Sequence, residues 1–228
     1  MKSPKIWVES VHNKSAIAEK IRKAGFRIDR KNPDFVLTYG GDGAILAAEW
    51  KYPGVPKIPV RKSMICSKCD YYDVADLGTV LRKLKKGSFR ISATPKVEAI
   101  FRKKSVIGLN EVQVRNKDPR RALRFLLNVD GKSMQFIADG IVAATPYGST
   151  AYYKSLGYEP FGSGIRIGLN NPAGLRRYFV VKKTAKIRIS RERALLAADN
   201  QSRIHGLKEG DTVLVRESKQ RARFVRFL

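Results

Sequence analysis

Asp42 stands in the stretch "LTYGGDGAIL", residues 37–46, as the only reactive side chain of a loop whose backbone is loosened by Gly40, Gly41 and Gly43. A strand that ends in glycines and runs into a helix aims backbone N–H groups and the positive helix end at one spot, which suits phosphate. The same four residues also make a tight strand-to-helix turn with Asp42 as its cap. A second stretch, "DGIVAATPYGSTAYYKSLG" at residues 139–157, is denser. It opens with Asp139 and sets Thr145, Tyr147, Ser149, Thr150, Tyr152 and Ser155 around a Pro-x-Gly turn. Hydroxyls, a carboxylate and aromatic faces together can bind a ribose or an amide and stack a flat base. A third, "GLNEVQV", places Asn110 and Glu111 ahead of a strand. The Asn amide can pair with an adenine edge, and Glu can accept from a hydroxyl or hold a metal.

The elements that must position these residues change character along the chain. In the first third, "KIWVE" and "DFVLTY" read as strands. "NKSAIAEKIRKAG" reads as a helix stopped by Gly25, and a further helix opens at "AILAAEW" after the glycine loop. Val74, Leu77, Leu81 and Leu84 repeat at helical spacing and are closed by Gly87, which completes an open α/β layer. From about residue 88 the period becomes two. "FRISA", "KVEAIFR", "EVQVR", "ALRFLLNV", "MQFIADGIVAA", "GIRIGL", "YFVVK", "AKIRIS", "TVLVRE" and "ARFVRF" are short β-like runs with turn signals such as Asp130-Gly131 between them. The expected organisation is an α/β domain over residues 1–87 and a mostly β domain over 88–228.

Composition bounds the function. The 228 residues are enough for one large or two small domains, and 43% hydrophobic with 29% charged residues is a globular balance. No apolar run is long enough to span a membrane, and "MKSPKIWVES" lacks the apolar core of a secretory signal, so a cytoplasmic protein is expected. Lys and Arg total 46 against 20 Asp and Glu, a formal charge of +26. Such a surface attracts nucleic acid, polyphosphate, nucleotides or anionic lipid, or is simply a basic solvated surface, since the cations run along the whole chain. Cys66 and Cys69 form one "CSKC" pair. A structural zinc usually needs four ligands and His12 and His205 lie far off, so the pair is read as a free or incidentally oxidised loop feature.

In order, the three stretches resemble the NAD kinases, which carry Gly-Gly-Asp-Gly, then Asn-Glu, then Asp-Gly…Thr-Pro-x-Gly-Ser-Thr-Ala-Tyr. The last motif reads here Asp139-Gly140…Thr145-Pro146-Tyr147-Gly148-Ser149-Thr150-Ala151-Tyr152, and the resemblance spans roughly residues 34–200. It implies an open α/β nucleotide-kinase domain followed by a sandwich-like β domain, and phosphoryl transfer from ATP, or polyphosphate in some members, to the 2′-hydroxyl of the adenosine ribose of NAD. It implies that Asp42 orients or deprotonates that hydroxyl, while Gly40, Gly41 and Gly43 admit the donor phosphates with Mg²⁺ bridging them. Asn110, Glu111, Tyr147, Thr150, Ala151, Tyr152 and Ser155 match positions on the dinucleotide side. Asp199 and Asn200 fall where the family has another Asp-containing turn. Asp139 matches a position that reaches the site across a subunit interface, which implies a homodimer or homotetramer.

The chain also departs from that pattern. Ala44 replaces a Thr or Ser, Tyr147 a small residue, and "IPVRKSMIC" a Gly-x-Asn-x-Gly loop; Gly157 and Tyr158 stand for a Gly-Gly pair. The family's C-terminal segment that returns to the first domain is expected to be missing. Arg61 and Lys62 would meet phosphate oxygens and favour polyphosphate as donor. Two alternatives remain: a degenerate homologue that binds NAD or NADP without transfer, and a basic nucleic-acid-binding protein, for which no zinc finger, aromatic RNA-binding pattern or helix-turn-helix is seen.

Overall fold

The structure, a computed structural model, describes residues 3–10, 12, 14–61 and 77–228. Lys62, Cys66, Cys69 and Val74, each weighed above, lie outside the described residues. The chain forms two compact units. The first contains the chain up to Thr94 together with Arg221–Leu228, and the second is Pro95–Gln220. The change of periodicity at residue 87 is therefore not where the contacts divide; that happens at Thr94–Pro95, inside a continuous strand.

In the first unit β1 (Lys5–Glu9), β2 (Arg27–Ile28), β3 (Phe35–Gly40) and β4 (Lys57–Arg61) run parallel in the order β2-β1-β3-β4. Helices α1 (Lys14–Lys23), α2 (Asp42–Lys51) and α3 (Leu77–Lys86) complete it. Gly25 and Gly87 take φ of +88° and +69° just past α1 and α3, the left-handed stop that the sequence signalled. Leu77, Val80, Leu81 and Leu84 put the apolar stripe of α3 into the core with Ile6, Val8, Ile17, Ile21, Leu37 and Ile58. Emptying one such position, as in Leu81→Ala, costs about 2–5 kcal/mol. The fully buried Lys57 ammonium of β4 pairs with Glu49 of α2 and also donates to the Tyr52 carbonyl at 2.7 Å. This pair pins α2, and with it the residue that opens it, Asp42.

The segment expected to be missing is present. The long strand β16 (Thr212–Phe227) ends in the first unit, where Phe224 lies in parallel register with Lys57 and Val225 joins the core. Leu228 N–H donates to the Ser88 carbonyl at 3.1 Å, and the rings of Phe89 and Phe227 meet edge-on at 6.4 Å. "ARFVRF" alternates like any half-buried strand, so its pattern does not reveal which unit it completes.

The second unit is built of antiparallel strands around a main core, with a smaller apolar cluster of Val142, Ala144, Tyr153, Tyr158 and Phe161 beside it. One sheet has the order β12 (Tyr178–Val181), β11 (Ile165–Asn170), β10 (Gly140–Ala144), β7 (Glu111–Asn116), β14 (Ala194–Ala198), β15 (His205–Leu207). Against its inner face pack β8 (Leu123–Val129), β9 (Lys132–Ala138), β13 (Ala185–Arg191), the first part of β16, and the hairpin of β5 (Phe89–Phe101) with β6 (Lys104–Gly108). Phe125, Leu127 and Ile187 thus share a core with Val112, Val114, Ile141 and Leu196. "FRISA" and "KVEAIFR" fuse into β5. "MQFIADGIVAA" instead breaks at Asp139 into β9 and β10, which pair with different partners. Gly140 makes the break: its φ is +151°, and a Cβ there would sit 2.0 Å from the Val114 carbonyl oxygen.

Candidate functional site

In the first unit β3 delivers the glycine loop. Gly40 ends the strand at φ +151°, Gly41 is the N-cap of α2 in extended conformation, and Asp42 is the first helical residue rather than the cap. A Cβ on Gly41 would meet nothing within 4 Å, so the approach to the helix start is open over that residue. The positive end of α2 and a carboxylate thus share one place, a favourable pairing of about 0.3–1 kcal/mol that also fits phosphate beside a proton acceptor. Gly43 and Ala44 follow in the same first turn, where Ala44 N–H donates to the Gly41 carbonyl at 3.0 Å. A side chain at residue 61, and all of Lys62, stand outside what the structure describes.

In the second unit two distant pieces of sequence converge on Leu109–Glu111. From one side Asp199, at the end of β14 with φ +46°, accepts N–H groups from Leu109 (2.7 Å), Asn110 (2.9 Å) and Glu111 (3.1 Å). Burial pushes its carboxyl up to about 6, while those three N–H bonds pull the other way. From the other side Thr145 donates its hydroxyl proton to the Leu109 carbonyl at 2.7 Å. Its N–H donates to the Asn110 carbonyl at 2.9 Å, and its Oγ1 accepts Gly148 N–H at 3.0 Å. The contact admits no extra atom: a Cβ on Gly148 would lie 2.1 Å from the Asn110 oxygen, and one on Gly108 2.1 Å from the Glu111 oxygen. Asn110 and Glu111 are buried, and Asn110 Oδ1 accepts no hydrogen bond from any described residue. A buried amide held this firmly with its acceptor unused is placed to recognise a donor on a small molecule.

Thr150 and Ala151 follow from a short 3₁₀ turn (Gly148–Thr150), and Tyr152 and Ser155 stand on the single-turn helix α4 (Tyr152–Ser155). Tyr147 precedes the turn as its N-cap. The Tyr152 hydroxyl accepts a bond from the Asn170 amide at 3.2 Å, and Ser155 donates to the Tyr152 carbonyl at 2.8 Å. Asn200 follows Asp199 at the exposed tip of that turn. Asp139 is not brought to this junction. It lies at the opposite end of β10, where its carboxylate accepts from the Asn171 amide at 3.0 Å and its carbonyl accepts Asn116 N–H at 2.8 Å. The five residues of β10 separate it from Thr145, roughly 20 Å of sheet over six residue steps.

Tyr158 turns out to be a wall. Its ring packs over Gly168, stacks on Tyr153 at 4.9 Å, and its hydroxyl accepts Leu169 N–H at 2.9 Å. Burial raises Tyr158 and carries Tyr153 up to about 12, so both stay neutral. Thr145 and Gly148 stood out in the sequence only as part of a motif; the bridging role of the Thr145 hydroxyl and the need for Gly108 and Gly148 at a close backbone contact were not read from it. Gly108, two residues before Asn110, was the available signal.

Comparison with known proteins places the chain among relatives. A family profile for the ATP-NAD kinase C-terminal domain matches residues 109–227. An NAD kinase of Methanopyrus kandleri is 31% identical over 208 residues, covering 86% of this chain and 74% of that protein. One of Thermoplasma acidophilum is 29% identical, covering 98% and 84%. The crystal structure of an NAD kinase from Archaeoglobus fulgidus in complex with ATP superposes with a TM-score of 0.80 at 20% identity, over 99% of this chain and 94% of that one. By its motifs, its folded junction around Asn110 and a profile covering half its length, the chain belongs to the NAD kinase family.

Proposed function

We propose that the protein is an NAD kinase in which Asp42 takes the proton of the adenosine 2′-hydroxyl of NAD as that oxygen attacks the terminal phosphorus of ATP, with ADP leaving. The observation that carries this reading is the Asn110–Glu111 junction, rigidly clamped and offering a buried, unused amide acceptor. Asn110 and Glu111 hold the adenosine, and Thr150, Ala151, Tyr152 and Ser155 line its remaining side with Tyr147. Gly40, Gly41 and Gly43 receive the donor phosphates at the start of α2. Among the described residues no group of three or more His, Cys, Asp or Glu could hold a metal. The lone carboxylate beside bare backbone fits Mg²⁺ carried in on the phosphates, where the ion would neutralise developing charge.

Asp139 stands a sheet-length from Asn110 within one chain, which supports its use by the site of a second copy and hence a homodimer or homotetramer. Asp199 spends its carboxylate on three backbone N–H groups, so it positions Asn110 rather than touching NAD; Asn200 at the turn tip is the residue left to reach ligand. No helix among the described residues is long and apolar enough to cross a membrane, and we assign the enzyme to the cytoplasm. The test is NADP formation from NAD and Mg²⁺ with ATP or polyphosphate, native against Asp42→Asn. A fall of about 10³-fold or more in kcat with retained NAD binding is expected. NAD binding without turnover in the native protein would establish a degenerate binder, and turnover with ATP alone would remove polyphosphate and the Arg61–Lys62 argument for it.

A further inference from the structure

The end of the six-stranded sheet opposite Asn110 carries a feature that phosphorylation of NAD does not use. There β7 ends at Asn116, β14 begins at Ala194 and β15 ends at Leu207, in register as Asn116↔Ala194↔Leu207. One residue further out, the continuations of the three strands carry Lys117, Arg193 and Lys208, all exposed, with Lys117 N–H donating to the Arg193 carbonyl at 2.9 Å. Like charges directly opposite on neighbouring strands repel, and nothing in the fold requires cations here. The nearby acids already carry partners. Asp211 pairs with Arg102 (3.0 Å) and also attracts Lys208, whose N–H it accepts at 2.9 Å. Asp118 pairs with Arg120 (2.9 Å), Glu192 with Arg121 (3.3 Å), and Asp139 accepts from the Asn171 amide. Lys117, Arg193 and Lys208 have no salt-bridge partner among the described residues.

These three side chains, with Arg102 and the Asp211 carboxylate that pairs with it, line one hollow of about 350 Å³, floored by Ala194, Gly206 and Leu207. Arg102 comes from the β5–β6 turn, where Arg102 and Lys103 hold φ of +47° and +64°. Two successive left-handed residues are ordinarily Asn-Gly or Asp-Gly, and the β8–β9 turn of this unit does use Asp130-Gly131. Retaining two bulky cations at such positions costs backbone strain, the kind that persists where it serves a function. Asp211 then fixes the Arg102 guanidinium at the rim.

We propose that this hollow is a binding site for a linear oligophosphate, either free inorganic chain or the triphosphate tail of a nucleotide. Two inter-strand steps make the cation row about 10 Å long, which suits a short chain of phosphates. Arginine forks and lysine ammoniums are the groups that hold such oxygens. No aromatic side chain lines the hollow, so the stacking platform typical of single-stranded nucleic-acid sites is absent from it.

The test is calorimetric titration of the full chain with tripolyphosphate at about 0.15 M salt, where exposed, delocalised attraction is largely screened. Native protein is compared with Lys117→Gln/Arg193→Gln and with Lys20→Gln/Arg22→Gln, which removes the same charge from the exposed face of α1. Expected is a Kd raised about tenfold or more in the first variant and less than about twofold in the second. Equal losses in both variants, or no binding by native protein, would overturn the site. ATP in place of tripolyphosphate separates the sources: loss of one of two ATP equivalents in the first variant assigns the nucleotide tail, and unchanged ATP stoichiometry assigns the free chain. A single-stranded oligonucleotide that binds the native protein more tightly than tripolyphosphate, and loses its binding in the same variant, would replace the proposal. Unchanged melting temperatures in the two variants confirm that each remains folded.

Discussion

The same two strands, β7 and β14, build both ends of the six-stranded sheet. At the Asn110 end, every polar group of Leu109–Glu111 named above except Asn110 Oδ1 is answered from within the protein, by a carboxylate ninety residues downstream, by a threonine hydroxyl and by backbone in contact across glycines. At the Lys117 end, cations stand side by side and outnumber the acids beside them, and the backbone turns with residues poorly suited to turning. The contrast teaches how one sheet can serve two tasks. Geometric recognition of a neutral edge needs a site with no freedom, so its cost is taken as buried charge and tight packing. Attraction of a polyanion needs unneutralised charge at the surface, so its cost is repulsion and local strain.

Substitutions should separate the two ends by size of effect. Gly148→Ala thrusts a methyl group into the backbone of Asn110, and thermal unfolding should show a loss of about 3 kcal/mol or more together with loss of NAD binding. If Gly148→Ala folds and binds normally, the rigid end is not rigid. Asp199→Asn should raise KM for NAD by about tenfold to a hundredfold with a smaller change in kcat, because the loop shifts while Asp42 is untouched.

The same residue gives the comparison a pH signature. Its carboxyl titrates near 6 in the fold and near 3.8 in the unfolded chain, so the folded state holds the proton longer. Native stability relative to Asp199→Asn should therefore fall by about 1–3 kcal/mol as pH rises from roughly 4 to 6, and stay level above. NAD affinity should move in the opposite direction over that range, since only the ionised group accepts all three N–H bonds. Parallel pH profiles of stability and affinity would contradict this. Thr145→Val removes the bridge between Leu109 and Gly148 and should cost about 1–2 kcal/mol. At the other end Arg193→Gln should raise stability by a few tenths of a kcal/mol at low salt, an effect that vanishes in high salt.

Much of this was legible in the residues. The glycine loop, both helix stops, β1, β3 and the Asn-Glu strand follow from local rules of turn chemistry and period. What escaped reading depended on contacts distant in sequence. Nothing near Asp199 shows that its carboxylate will be claimed by Leu109–Glu111, and "ALLAADN" has too little alternation to reveal β14. The break between β9 and β10 rests on Gly140 passing close over Val114, a fact about the neighbouring strand. Asp139 illustrates the converse: its motif was plain, yet its place at the far end of β10 depends on which way that strand runs.

The interrupted first unit has a consequence for synthesis. Its strand partner for β4 and its core residue Val225 are encoded after the whole of Pro95–Gln220. A chain emerging from the ribosome therefore displays an unpaired β4 edge until the second unit has been made. The second unit, contiguous in sequence, is free to fold first and hold the last residues ready. Moving residues 221–228 ahead of residue 3 in a circular permutant would let the order of folding reverse, with the nucleotide loop complete before the sandwich exists.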